Sequence, residues 1–147
     1  MNTQTKLTLL LPIKDRPQYT KRCLAYLNQA KCSFPVLIAD GSLSNTTQVS
    51  YAPETFPRLN IDYQRYAPDK NFQAFMLKIK SALERIDTPY IVWACDDDFY
   101  DLEELAKGVE FLKEHPDFGS YTGKILNFQM NAGTAKRKQN HHGKICL

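Results

Sequence analysis

Three consecutive aspartates, Asp96-Asp97-Asp98, close the apolar run Tyr90-Ile91-Val92-Trp93-Ala94-Cys95. Adjacent carboxylates repel one another and are costly to hold together without a cation. Hard oxygen donors suit Mg²⁺ or Mn²⁺, ions that keep some waters and complete their shells with substrate phosphates. In extended chain Asp96 and Asp98 share one side and Asp97 takes the other. The competing reading is a helix cap, since a helix follows and acids favour its positive end; Asp101 lies nearer that start. Two further polar groups follow apolar runs, Lys14-Asp15-Arg16 and Asp40-Gly41-Ser42. A metal-bound diphosphate would share its charge with fixed basic groups, for which Lys14, Arg16, Lys70 and Lys78 are candidates. Lys78 lies off the apolar stripe of its helix, so it faces either a ligand or solvent. Asp40 can accept a hydrogen bond from a pyrimidine N–H, and it equally suits an Asx-type turn with Gly41.

These groups need elements to position them, and the sequence alternates strand and helix. Leu7 to Ile13 is nearly all apolar, the pattern of a strand covered on both faces, and Pro12 sits near its end. Pro17 suits the first turn of a helix over Gln18 to Ala30, with Cys23, Leu24 and Leu27 inward. Pro35 to Ala39 reads as the second strand, followed by a long polar loop. Leu59 to Tyr66 alternates with period two, as an edge strand with one wet face does. Phe72, Phe75, Met76, Ile79, Leu83 and Ile86 recur at the spacing of one buried helical stripe. Tyr90 to Cys95 reads as a buried strand, Asp101 to Glu114 as a helix, and Tyr121 to Gln129 as a last strand. The predicted class is α/β, Rossmann-like, with a mainly parallel sheet and helices on both faces. Such sheets bind ligands beyond the carboxyl ends of their strands. If the first and fourth strands are neighbours, the three polar groups converge on one crevice.

The 147 residues, 43% hydrophobic and 24% charged, are a globular balance that excludes wholesale disorder. No apolar run approaches the roughly 18 residues of a membrane helix, and the first residues lack a signal-peptide layout, so a cytoplasmic protein without an integral membrane segment is expected. Five Lys/Arg and no acid lie between Lys124 and Leu147. Residues 131–147 are therefore read as a basic, poorly ordered tail after a domain over 1–130. Without an aromatic beyond Phe128 to stack on bases, no nucleic-acid partner is expected. Cys23, Cys32, Cys95 and Cys146 match no zinc or disulfide spacing and read as reduced thiols, the first two on opposite faces of one helix.

Together these pieces resemble the GT-A glycosyltransferases, especially the family 2 type. Leu7 to Arg16 with Tyr19 and Arg22-Cys23-Leu24 is similar to that family's opening strand, turn and first helix. Val36-Leu37-Ile38-Ala39-Asp40-Gly41-Ser42 is similar to its second strand, whose acid contacts the base. Tyr90 to Asp98 is similar to the strand ending in its D-x-D metal motif. The resemblance covers about residues 7 to 115. It implies a transfer of sugar from a nucleotide-diphospho-sugar, a UDP-sugar by expectation, to an unknown acceptor, with Mn²⁺ or Mg²⁺ on Asp97 and Asp98 as the metal and catalytic pair. It places Pro12, Lys14, Asp15, Arg16, Asp40, Gly41, Asn71, Lys78 and Asp96 on the substrate, Asp96 toward sugar and ribose. Cys95 stands where a D-x-D-D form has its first carboxylate, and Gln73 and Ile79 stand where the family often has Gly and Asn.

Family members usually run well beyond 200 residues, and no acid follows Asp117 to serve as a carboxylate base. The chain therefore resembles the donor-binding part of the fold, C-terminally truncated, with self-association through an exposed sheet edge expected. Two alternatives stand beside this reading: a nucleotidyltransferase or phosphohydrolase on a similar sheet, and a non-catalytic nucleotide-binding fragment. Against the former, Lys14-Asp15-Arg16-Pro17 carries no glycine for a phosphate loop.

Overall fold

The computed structural model describes residues 6–44, 51 and 53–127. The chain forms two compact units, Met1–Leu102 and Glu103–Leu147. The first contains β1 (Leu7–Ile13), α1 (Pro17–Gln29), β2 (Val36–Asp40), a 3-10 turn (Pro53–Thr55), β3 (Ile61–Arg65), α2 (Phe72–Leu83) and β4 (Tyr90–Trp93). Its four strands form one all-parallel sheet in the order β3-β2-β1-β4. Stepping from β1 to β2 moves one way across the sheet, and from β3 to β4 the other. Right-handed crossovers therefore put α1 and α2 on opposite faces.

The strand residues sort by parity to the two faces. Leu10, Leu37 and Ala39 pack with Ile79 and Ala82 of α2. Leu9, Leu11, Ile13, Val36 and Ile38, of opposite parity, are equally buried and lie on the α1 side, where Thr20, Cys23, Leu24 and Leu27 of that helix are also buried. Every residue of β2 is buried, as expected of a central strand. β3 is half-wet, the predicted edge.

Several expectations are corrected. Tyr90 to Cys95, read as a buried strand, ends at Trp93 and is the second edge of the sheet, with Ile91 39% and Trp93 43% exposed. The stripe along α2 is not wholly buried either: Phe72 is 76%, Met76 41% and Leu83 41% exposed. The residues that α2 does bury are Lys78, Ile79 and Ala82. At 100° per residue these centre about 60° around the helix from the apolar stripe. The helix has turned to bring Lys78 under the sheet, and one flank of the stripe overhangs the β4 side. Finally, Cys23 and Cys32 do not share a helix. α1 stops at Gln29, Lys31 takes a left-handed conformation (φ 56°), and the reversal buries Cys32 as deeply as Cys23.

The second unit carries α3 (Leu102–Glu114), whose last turns form an aromatic cluster with the chain that follows. The Phe111 ring lies 4.3 Å from His115, 5.3 Å from Phe118 and 5.5 Å from Tyr121. The strand predicted from Tyr121 is not formed over its described part, residues 121–127; Phe128 and Gln129 lie outside the described residues, as does the tail 131–147. No helix among the described residues is long and apolar enough to cross a membrane.

Candidate functional site

Beyond the carboxyl end of β1, the tripeptide Lys14-Asp15-Arg16 ties together three neighbouring segments. Lys14 donates from Nζ to the Asp69 carbonyl at 2.6 Å. The Asp15 N–H donates to Ser42 Oγ at 2.8 Å, and Asp15 Oδ1 accepts from the Leu43 N–H at 2.9 Å. Those two bonds hold Asp15 at φ 50°, a left-handed conformation that costs a non-glycine residue about 1 kcal/mol or more. Arg16 reaches β4's end, donating to Asp96 Oδ1 and to Asp97 Oδ2, the latter at 3.2 Å. The adjacency of β1 with both β2 and β4 makes this convergence possible.

The aspartate triplet does not alternate as extended chain would. β4 has ended, and a turn follows in which the Asp98 N–H donates to the Cys95 carbonyl at 3.4 Å. Asp96 consequently points inward, 2% exposed, accepting from Thr20 Oγ1 at 3.0 Å and from Arg16. Burial raises its pKa, with the Thr20 hydrogen bond and Arg16 acting in the opposite direction. Asp97 and Asp98 point outward with Cys95, and the donor atoms of these three residues all lie within 4.8 Å of one another. Two carboxylates and a thiol within that span fit a divalent ion, with coordination positions left for phosphate oxygens and water. The turn is braced from beneath. The Cys95 N–H donates to the Tyr100 hydroxyl at 2.7 Å, and Tyr26 of α1 donates to the Tyr100 carbonyl at 2.6 Å. Phe99 packs edge-on against Tyr26 at 4.9 Å.

Asp40 is fully buried at the end of β2. Its Oδ1 accepts from the Ser42 N–H at 2.8 Å, closing the Asx turn, while Oδ2 accepts from Tyr63 at 2.6 Å and Arg65 at 3.1 Å. Gly41 is required by close approach, since a Cβ there would collide with the Asp69 carboxylate. That carboxylate forms a buried ion pair with Lys78, Nζ to Oδ2 2.5 Å, and Lys78 also donates to the Ile13 carbonyl at 3.2 Å. Lys78 therefore sits beneath the loop that follows β2, not at its surface. Asn71 caps α2, accepting from the Ala74 N–H at 2.9 Å. Pro12 is half-buried within β1, opposite Ala39.

The structure thus brings Lys14, Asp15, Arg16, Asp96 and Asp97 into one linked set, with Asp40 and Gly41 adjoining it through Ser42 and Asp69. Asn71 and Lys78 stand at the base of that set in supporting contacts. Thr20, Tyr63, Arg65, Asp69 and Tyr100 also belong to the site and were not singled out from the sequence. A signal existed for two of them: the period-two pattern of β3 puts Tyr63 and Arg65 on the face of Asp40, once the β2–β3 register is known. Thr20, Asp69 and Tyr100 carry no local pattern that marks them.

No protein-family model matches the sequence, and comparison with curated proteins finds no match. Solved structures do match. S. aureus TarS 1–349 is 18% identical with a TM-score of 0.60, over 92% of this chain and 39% of that one. A longer TarS structure gives the same identity and TM-score over 88% of this chain and 23% of that one. TarS 1–349 in complex with UDP-GlcNAc matches at 18% identity and a TM-score of 0.59, over 91% and 37%. This chain thus spans less than two-fifths of each. These neighbours are glycosyltransferases, and what the chain has in common with them is the Rossmann-like α/β fold.

Proposed function

We propose that this chain binds a nucleotide-diphospho-sugar at the carboxyl edge of its sheet and is the donor-binding part of a metal-dependent glycosyltransferase. The observation that carries the reading is the hub at Lys14-Asp15-Arg16, which links the β2 turn to the Asp96–Asp98 turn while Asp97 and Asp98 face outward. The fold and the UDP-GlcNAc complex of TarS support a UDP-sugar as donor. Asp97 and Asp98 would hold Mn²⁺ or Mg²⁺, which supplies neutralisation of the charge that builds on a departing diphosphate. Arg16, half-exposed and beside Asp97, offers a fixed positive charge to the same diphosphate. Burial pulls the Arg16 pKa down, and the Asp96 and Asp97 carboxylates more than offset this, so the guanidinium stays charged. Asp96 holds Arg16 in place from the buried side. Asp40 is fully buried, with Oδ1 on the Ser42 N–H and Oδ2 shared by Tyr63 and Arg65, so Arg65 and the Ser42 turn present the recognition surface.

A phosphohydrolase is less well supported, since Asp15 is tied to the Leu43 N–H and has no second carboxylate two residues away in a D-x-D setting.

The reading is tested by calorimetric titration with UDP in the presence and absence of Mn²⁺. Binding is expected to require the ion and to weaken by at least about tenfold in Asp97→Ala. UDP binding that is indifferent to both would overturn it.

A further inference from the structure

We propose that Arg22, held between the rings of Tyr19 and Phe99, binds an oxyanion carried by the acceptor, a phosphate or a carboxylate group. This rests on the reading that the sheet edge binds a nucleotide-diphospho-sugar, and extends it to the second substrate.

The first observation is the way Arg22 is held. Arg16, Tyr19 and Arg22 recur at every third residue from the start of α1, so they share one face. The Arg16 and Arg22 guanidiniums lie over the Tyr19 ring, 5.2 and 5.0 Å from its centroid, and Arg22 also lies over the Phe99 ring at 5.6 Å. Each ring has a further contact. Tyr19 carries Arg16, which is tied to Asp96 and Asp97, and Phe99 packs edge-on against Tyr26 at 4.9 Å.

The second observation is what Arg22 leaves unused. Although the aspartate turn supplies Phe99, Arg22 makes no hydrogen bond or ion pair among the described residues, while Arg16 takes both Asp96 and Asp97. Arg22 is exposed, as are Tyr19 at 37% and Phe99 at 43%. Rings cover the faces of a guanidinium and leave its N–H groups, which lie in its plane, for a partner. That planar fork is weakly hydrated and matches phosphate or carboxylate oxygens in pairs. Stacking fixes the side chain before a ligand arrives, which lowers the ordering cost of binding.

The third observation is position. Arg22 lies six residues beyond Arg16, about 9 Å of helical rise. A group held at Arg22 is therefore distinct from a diphosphate held at Arg16, yet the shared Tyr19 ring keeps it beside the same turn. The sugar of UDP-GlcNAc carries no anionic group, which leaves the acceptor as the source of the oxyanion.

Nuclear magnetic resonance reads this site directly. The full ¹⁵N-labelled chain is titrated with methyl phosphate, and separately with acetate, at constant ionic strength. A saturable shift of the Arg22 Nε–H resonance is expected with at least one of them, and the one that binds names the class. The shift should persist with UDP and Mn²⁺ bound. Arg22→Lys keeps the charge and loses the fork; followed by the backbone amides of residues 19–22 and 99, it should weaken binding about tenfold or more. Tyr19→Leu with Phe99→Leu should weaken it although Arg22 remains. Circular dichroism checks that the variants fold. A shift with neither anion would overturn the proposal. So would binding that survives Arg22→Lys but is lost in Arg16→Gln, or binding that UDP and Mn²⁺ displace, since the anion would then occupy the donor's own place. Anion binding at Arg22 in a chain that binds no UDP would overturn the donor reading, and the acceptor role with it.

Discussion

Under the Gly41 turn, Lys78 and Asp69 meet as an ion pair with side chains only 1% and 5% exposed. Among the described residues Asp69 Oδ1 has no hydrogen-bond partner, and the pair is held by charge and by the Lys14 contact to the Asp69 carbonyl. Removing one member of such a pair leaves an uncompensated buried charge, at a cost of about 3–5 kcal/mol. Lys78→Met should lower urea-unfolding stability by that amount, and Lys78→Met with Asp69→Asn should recover most of it. Equal losses in the single and double variants would contradict the pairing. A second buried group sets a pH dependence. Burial, with Asp96 contributing, pushes the Cys23 thiol from 9.0 up to about 12. Because the folded thiol keeps its proton where the unfolded one has lost it, the contribution is complete below pH 9 and is lost as pH rises toward 12. Chemical unfolding between pH 8 and 11 should show a shallower fall in stability for Cys23→Ala than for the wild type.

At the scale of elements, α2 and β4 present an apolar surface that four strands do not cover. Phe72, Phe75 and Trp93 form a run of rings with centroids 6.4 and 6.0 Å apart, and Met76, Leu83 and Ile91 are exposed nearby in the same unit. Among the described residues no strand pairs with the outer side of β4, an edge that invites another strand. Concentration-dependent association is therefore expected in sedimentation velocity, and Met76→Glu with Trp93→Lys should suppress it. A monomer for the wild type at every concentration up to about 0.1 mM would count against this, since weak edge pairing and exposed apolar patches associate in that range.

For the molecule as a whole, the groups proposed to grip a donor are gathered in one place, at the carboxyl edge of the first unit's sheet. Activating a donor for transfer to water needs these groups and no acceptor pocket. Slow Mn²⁺-dependent release of UDP from UDP-GlcNAc into water is therefore expected, and Asp98→Ala should remove it. Tight UDP binding with no release would favour a binding-only role.

Much of this was legible in the residues themselves. Strand and helix periodicities are local, so Leu7–Ile13, Val36–Asp40 and the helix beginning at Phe72 could be read with boundaries shifted by only a few residues. Alternation then implied a parallel sheet, with the Asp15, Asp40 and Asp97 regions at its carboxyl edge. What tertiary structure decided was direction. The turn after Trp93 sent Asp96 inward and left Asp97, Asp98 and Cys95 outside; burial of Lys78 against Asp69 rotated α2 away from its own apolar stripe; and register alone brought Tyr63 and Arg65 to Asp40. Those outcomes depend on contacts between residues 9 to 80 positions apart, and no pattern along the chain encodes the orientation of a side chain toward a partner that only the fold supplies.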